Sequence, residues 1–309
     1  MRHLRENVIE IGVAKLTQSG DYILEALVDG PKVIEEGGLT DVIEKNACVI
    51  VESKTAELTP EERNQYGARH LLGLASGHLA EIVAGQLKKG LFTIGLLPSC
   101  SGLMGMLAGF QMSGPGRKPL KVGLVWLDAH ADINTPDTSL SGLLAGMPVA
   151  VAAGLCLERL RLKCGMELPI PTEHVTMVGV RDVDPLEQEI IEGSDIRHIS
   201  VDDIRHLKPV IKTEMNRLAS LTHIIYIHLD VDVLDPLEVP GHGLPVENGP
   251  TSKELGAAFE VMFTHPKVRG LGIAGCPVGS DPDQITLKAI YHLLERAVVG
   301  LRRQHRFKA

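Results

Sequence analysis

Val122-Gly123-Leu124-Val125-Trp126-Leu127 runs without a charge into Asp128-Ala129-His130-Ala131-Asp132-Ile133-Asn134-Thr135-Pro136. A run that is apolar at every position, not at alternate ones, marks a strand buried on both faces, the condition of strands in parallel sheets. Six further short runs are largely apolar and rich in β-branched residues, at residues 8–13, 48–51, 92–97, 175–180, 224–229 and 271–276. Segments with helical periodicity lie among them, including 61–88, 252–263 and 284–301. Thr59-Pro60-Glu61-Glu62 opens the first of these with an N-cap residue, a proline in the first turn and early acids. Strands alternating with helices predict an α/β fold in which crossover units build one mostly parallel sheet flanked by helices on both faces. No linker, composition break or repeat divides residues 1–309, so one domain is expected.

The composition agrees with that reading and narrows the function. Apolar residues make up 44% of the 309 and charged residues 23%, which excludes a disordered or coiled-coil chain. The net charge is −8, and the only basic cluster is the short tail Arg302, Arg303, Arg306, Lys308, so no nucleic-acid partner is expected. Five cysteines without CxxC spacing fit neither a secreted disulfide framework nor a zinc ribbon. The first seven residues, Met1-Arg2-His3-Leu4-Arg5-Glu6-Asn7, are charged and lead into no signal-peptide core, which makes the cytoplasm the expected location. Residues 91–116 and 138–157 carry no charge, but Pro98, Gly102, Gly142, Gly146 and Pro148 interrupt them. Each is expected to be a buried strand, a turn and a buried helix, and no membrane span is expected.

In parallel sheets chemistry gathers just beyond the carboxyl ends of the strands. Asp128, His130 and Asp132 stand at i, i+2 and i+4, so an extended chain turns all three to one side. Asp230 and Asp232 repeat the i, i+2 spacing after the run 224–229. Singly, each aspartate can be a turn cap and His130 a satisfied core histidine. Together they are four carboxylates that would repel one another, and burial would raise their pKa values. A cation removes the conflict. Four Asp and one His exceed the shell of a single tetrahedral zinc and suit two divalent ions sharing carboxylates.

These segments resemble the two signature metal motifs of the arginase (ureohydrolase) family, the second continuing as Asp230-Val231-Asp232-Val233-Leu234-Asp235-Pro236. Gly179-Val180-Arg181-Asp182-Val183-Asp184-Pro185-Leu186-Glu187 and Gly30-Pro31-Lys32-Val33 resemble two further family segments, in order along nearly the whole chain. The resemblance implies an eight-stranded parallel sheet in a single domain, two manganese ions, and hydrolysis of a guanidinium carbon by a metal-bridging hydroxide. It also implies a homo-oligomer, trimeric or hexameric. Carried over by position, Asp128 and Asp230 bridge the ions, Asp132 completes the first shell and is the candidate catalytic carboxylate, and His130 with Asp232 completes the second. The family's remaining ligand, a histidine in a GGDHS segment, falls on Cys100 of Leu97-Pro98-Ser99-Cys100-Ser101. Cys100 would then ligate as thiolate, a softer donor than imidazole.

By the same resemblance Asn134, Ser141, Asp184 and Glu187 hold the α-amino-acid end of a small substrate. The guanidinium end departs from the family. Ala145 stands at the position of a proton-shuttling histidine, and Gly275 at that of a guanidinium-binding glutamate. Losing that charge-assisted bond removes about 1.5–3 kcal/mol, tenfold or more in binding. A C–N hydrolase of altered specificity is therefore expected, acting on an arginine-like amino acid with a less basic head, for example a hydroxyguanidine. The cysteine at the metal position also resembles a hydroxyarginine-hydrolysing branch. Restoring Gly275→Glu together with Ala145→His is expected to raise turnover of arginine. Two other readings stay open: a non-catalytic homologue with a binding or regulatory role, and a Cys100 nucleophile activated at a helix N-terminus.

Overall fold

The computed structural model describes residues 8–20, 27–116, 118–279 and 281–306; the charged first seven residues and Lys308 lie outside them. The apolar runs form strands β1 (Ile9–Leu16), β2 (Cys48–Ala56), β3 (Phe92–Leu96), β4 (Val122–Leu127), β5 (Val175–Val178), β7 (Ile224–Asp230) and β8 (Val268–Ala274), joined by β6 (Arg197–Ile199). They make one eight-stranded sheet in the order β2-β1-β3-β8-β7-β4-β5-β6, parallel at every pairing. Successive side chains of a buried strand enter opposite cores. Leu124 and Trp126 pack on one face with Leu72, Leu79, Met104 and Leu107, from helices Ala68–Lys88 and Leu103–Met112. Val125 and Leu127 pack on the other with Leu218, Phe259 and Ile290, from helices Val210–Leu221, Ser252–Phe263 and Ile285–Arg306.

The departures from the sequence reading have local causes. β6 has three residues and exposes Arg197 and His198, so it carries no apolar run. The edge strand β2 continues to Ala56 through Glu52, Ser53 and Lys54, because its outer side needs no apolar cover. The expected helix 61–88 is two helices, Pro60–Arg63 and Ala68–Lys88, with Gly67 at φ 104° between them. The Thr59 cap is as expected: its hydroxyl accepts the Glu62 N–H, and the Glu62 carboxylate accepts the Thr59 N–H at 2.8 Å. Residues 138–157 contain no strand; a 3-10 turn (Leu144–Gly146) leads straight into the helix Pro148–Ala152, which proline starts. No helix among the described residues is long and apolar enough to cross a membrane.

Candidate metal centre and pocket

The chain bends in the same way at the ends of β4 and β7, which are neighbours in the sheet. Asp128 Oδ1 accepts the His130 N–H at 2.6 Å, and Asp230 Oδ1 accepts the Asp232 N–H at 3.0 Å. Each is an Asx turn, a bond from an aspartate to the backbone two residues on. The i, i+2 convergence expected of an extended chain is thus produced by two turns. They are tied together by the Ala129 N–H, which donates to Asp232 Oδ1 at 3.1 Å. Asp132 takes φ 49°, a left-handed conformation that aspartate adopts more readily than most residues, and its carboxylate joins Cys100 and Asp128.

Cys100 opens the 3-10 turn Cys100–Gly102 beyond β3. Its thiol donates to Asp230 Oδ2 at 3.0 Å and lies 3.5 Å from Asp128 Oδ2. Behind it sits the buried His228, stacked on Trp126 with ring centroids 4.5 Å apart. His228 Nδ1 is 3.0 Å from the Tyr226 hydroxyl, and Nε2 is 3.4 Å from Cys100 Sγ. With the tyrosine donating to Nδ1, the Nε2–H points at the sulfur. The tyrosine fits because residue 272 is glycine; a Cβ there would stand 2.9 Å from the ring carbon bearing the hydroxyl. Burial, then the Asp230 and Asp128 carboxylates, push the Cys100 thiol well up. Burial drives His228 down to about 3. A thiol pushed up beside a histidine that resists protonation is a poor nucleophile, which speaks against the alternative reading of Cys100 as a nucleophile activated at a helix N-terminus.

The electrostatics are those of carboxylates crowded into a buried cluster. Burial and neighbouring carboxylates push Asp128, Asp132 and Asp230 above the usual range. Burial works the same way on Asp232, but His130 and His242 outweigh it and hold this carboxyl at about 2. His130 Nδ1 lies 3.1 Å from Asp232 Oδ2 and 3.4 Å from Asp128 Oδ1. Burial opposes its charge, yet the two carboxylates raise it to about 12. Arg181 does not neutralise the cluster; its guanidinium donates to main-chain carbonyls of Asp232, Val233, Leu234, Val246 and Glu247. Three overlapping donor sets remain, Cys100/Asp128/Asp132, Asp128/His130/Asp232 and Asp230/Asp232/His242, each with its ligand atoms within 4.8 Å. This mixture of oxygen, nitrogen and sulfur, with aspartates shared between sets, fits two divalent cations.

A cavity of about 170 Å³ opens above the cluster, and all four expected substrate residues line it together with Ala145 and Leu244. The Asn134 amide donates to Asp184 Oδ2 at 3.0 Å, and its carbonyl oxygen accepts from Thr138 at 2.9 Å. Ser141 is exposed at the mouth, its oxygen accepting the Leu143 N–H. Asp184 caps the helix Pro185–Glu192 in a capping box with Glu187. The buried Glu187 accepts the Ile133 N–H at 2.8 Å and the Asp184 N–H at 3.2 Å, which staples the loop after β4 to the loop after β5. On the opposite side Gly275 takes φ 77°, and a Cβ there would stand within 2.8 Å of Asp230 Oδ2. A side chain there requires the Asp230 carboxylate to shift. The expected gain from Gly275→Glu therefore stands against the displacement of Asp230 that a glutamate would cause.

Three residues around this centre escaped the sequence reading. His228 lies inside an apolar run, and nothing in its spacing sets it apart. Arg181 was visible only as part of a longer motif. His242 stands alone between Gly241 and Gly243, and a lone histidine in a glycine-rich loop carries a weak signal.

Comparison with known proteins gives a consistent answer. Residues 101–300 match the profile of the arginase family. The chain is 33% identical over 227 residues to an arginase of Entamoeba histolytica, covering 72% of this chain and 75% of that one. It is 30% identical over 264 residues to arginase-2, mitochondrial, of Homo sapiens, covering 81% and 73%. The solved arginase of Bacillus subtilis superposes with a TM-score of 0.81 at 25% identity, over 94% of this chain and 98% of that one.

Proposed function

The chain belongs to the arginase family, and from that premise we propose that it is a binuclear metallohydrolase cleaving a non-peptide C–N bond in an amino acid whose guanidino or amidino head is less basic than arginine's. One contrast supports this reading. The metal-type donors converge beyond β3, β4 and β7, while the space at Gly275 has no room for a carboxylate to meet a guanidinium. In the proposed centre Cys100, Asp128, Asp132 and Asp230 would hold one ion, and Asp128, His130, Asp230 and Asp232 would hold the other, with Mn²⁺ as the proposed metal. Two such ions supply Lewis-acid polarisation and a nucleophilic water at neutral pH.

The chain's own residues supply the rest. Asn134, Ser141 and Asp184 orient the amino-acid end against the wall that Glu187 braces. Asp132 borders both the donor cluster and the cavity and is the proposed catalytic carboxylate, accepting the proton of the attacking water. Arginine's guanidinium, with a pKa of about 12.5–13.8, stays charged and would meet no carboxylate at Gly275. Ala145 offers no acid to its departing amine. A hydroxyguanidine is neutral near pH 7 and has a better leaving group, which relaxes both demands. We also propose a cytoplasmic location and a homo-oligomer, trimeric or hexameric.

Metal analysis of the purified protein, with a screen of guanidino and amidino amino acids for released urea, ammonia or amine, tests the reading. Two ions per chain and faster turnover of a hydroxyguanidino acid than of arginine are expected. A kcat on arginine on the order of 10² s⁻¹ would refute it. Ala145 and Gly275 also favour a second reading, a binding homologue without activity; two bound ions with no turnover of any compound would establish that one.

A further inference from the structure

His242 lies in the loop that follows the second Asx turn, outside both metal motifs. Its side chain is only 7% exposed, and the ring faces the carboxylates: Nε2 is 3.9 Å from Asp230 Oδ1, and Nδ1 is 3.8 Å from Asp232 Oδ2. Neither distance is a hydrogen bond. Among the described residues, the ring's other polar contact is the Leu244 N–H, which reaches Nδ1 only at 3.4 Å. Two donors that each stand about 2.0–2.2 Å from a shared ion lie roughly 3–4 Å from one another, and this imidazole holds that spacing to both aspartates. Its position is not left to a free loop. Arg181 donates on one side to the carbonyls of Asp232, Val233 and Leu234 and on the other to those of Val246 and Glu247, so one guanidinium pins the His242 loop to the turn that carries Asp232.

The second imidazole of the cluster, His130, approaches the same Asp232 Oδ2, at 3.1 Å. Two rings therefore flank one carboxylate oxygen, while at the opposite end of the cluster the ligand position is held by Cys100, with the His228 ring behind the sulfur. We infer that His242 is a metal ligand, the second imidazole of the ion that His130 and Asp232 hold. The inference rests on the binuclear reading proposed above. It divides the donors unequally, with sulfur and carboxylates on one ion, and two imidazoles and carboxylates on the other. Imidazole suits Co²⁺ and Zn²⁺ better than Mn²⁺, so the His242 side of the centre favours these ions.

Co²⁺ is the probe, because its spectrum reports ligand type. Chelator-stripped wild type, His242→Ala and Cys100→Ser are titrated with Co²⁺ by calorimetry and visible absorption. Wild type is expected to bind two ions. Cys100→Ser loses the near-ultraviolet thiolate charge-transfer band. His242→Ala keeps that band, changes the visible ligand-field absorption and weakens one ion at least tenfold, the lower bound for losing even an indirect contact to a metal. Proton NMR of Co²⁺-loaded wild type gives a readout that does not depend on a variant folding: exchangeable, hyperfine-shifted imidazole N–H signals from two histidines are expected. Two bound ions with a single such histidine signal, or with unchanged affinity and spectrum in His242→Ala, would overturn the inference and leave the binuclear centre standing. Failure of wild type to bind Co²⁺ or Mn²⁺ would overturn both.

Discussion

Replacing Gly275 by alanine tests how tightly the end of β8 is fitted to the metal centre. Residue 275 takes φ 77°, which disfavours any L side chain by about 1–2 kcal/mol. The added Cβ also falls against the Asp230 carboxylate, within 2.8 Å of Oδ2. Overpacking of this kind adds about 1–3 kcal/mol, so the loss of stability is about 2–5 kcal/mol. Part of it is relieved if Asp230 swings aside, but that movement breaks its bonds to the Asp232 N–H and the Cys100 thiol. Gly275→Ala is therefore expected to melt several degrees below wild type and to bind Mn²⁺ at least tenfold more weakly, measured by scanning calorimetry and isothermal titration. Stability and affinity both equal to wild type would refute the reasoning, since they would require room beside Asp230 that the structure does not have. Gly275→Glu with Ala145→His is expected to fail on arginine for the same reason.

Cys100→His is expected to tighten Mn²⁺, because imidazole suits this ion better than thiolate; equal or weaker affinity by calorimetry would mean that Cys100 is not a ligand. Part of the acid sensitivity lies away from the centre. Desolvation lowers the pKa values of His174 and His265 below 6.5, and also that of His198, whose ring nitrogen turns inward to the Val180 carbonyl although the residue lies at the surface, so at these positions the unfolded chain binds more protons below pH 6.5. The stabilisation is complete above 6.5 and is lost as pH falls, by at most about 1.4 kcal/mol per pH unit for each histidine. His198→Gln, which keeps a donor for the Val180 carbonyl, is expected to flatten the dependence of Tm on pH between 7.5 and 5; an unchanged slope would count against this assignment.

What the sequence disclosed follows from where each residue's constraint lies. β4 and β7 are readable because both their faces are buried, and that requirement is written into every position from Val122 to Leu127 and from Ile224 to Leu229. β6 is unreadable because a three-residue edge strand buries only Ile199. The spacing of Asp128, His130 and Asp132 shows that they converge, but not how: the Asx turns and the left-handed Asp132 are solutions that only the neighbouring strand imposes. Tyr226 and His228 depend on contacts across tens to more than a hundred residues, such as Tyr226 with Gly272 and His228 with Cys100, and His242 on a loop that folds back over Asp230 and Asp232; no local pattern records those. Gly275 shows the limit from the other direction. Position alone made it a missing glutamate, whereas its surroundings make it a glycine that Asp230 requires.

The strand order has a consequence for synthesis. β7 and β8 are the last strands made, yet they lie in the middle of the sheet, between β3 and β4. Until they emerge from the ribosome, β3 and β4 have no partner on their inner edges, and two rows of unpaired backbone groups face a gap two strands wide. The nascent chain must keep these apolar edges from pairing with each other or with another molecule while residues up to 274 are added. Asp128 likewise waits about a hundred residues for Asp230. The donor cluster is therefore complete only late, once insertion is finished, and any truncation ahead of β8 leaves β3 and β4 without their central partners.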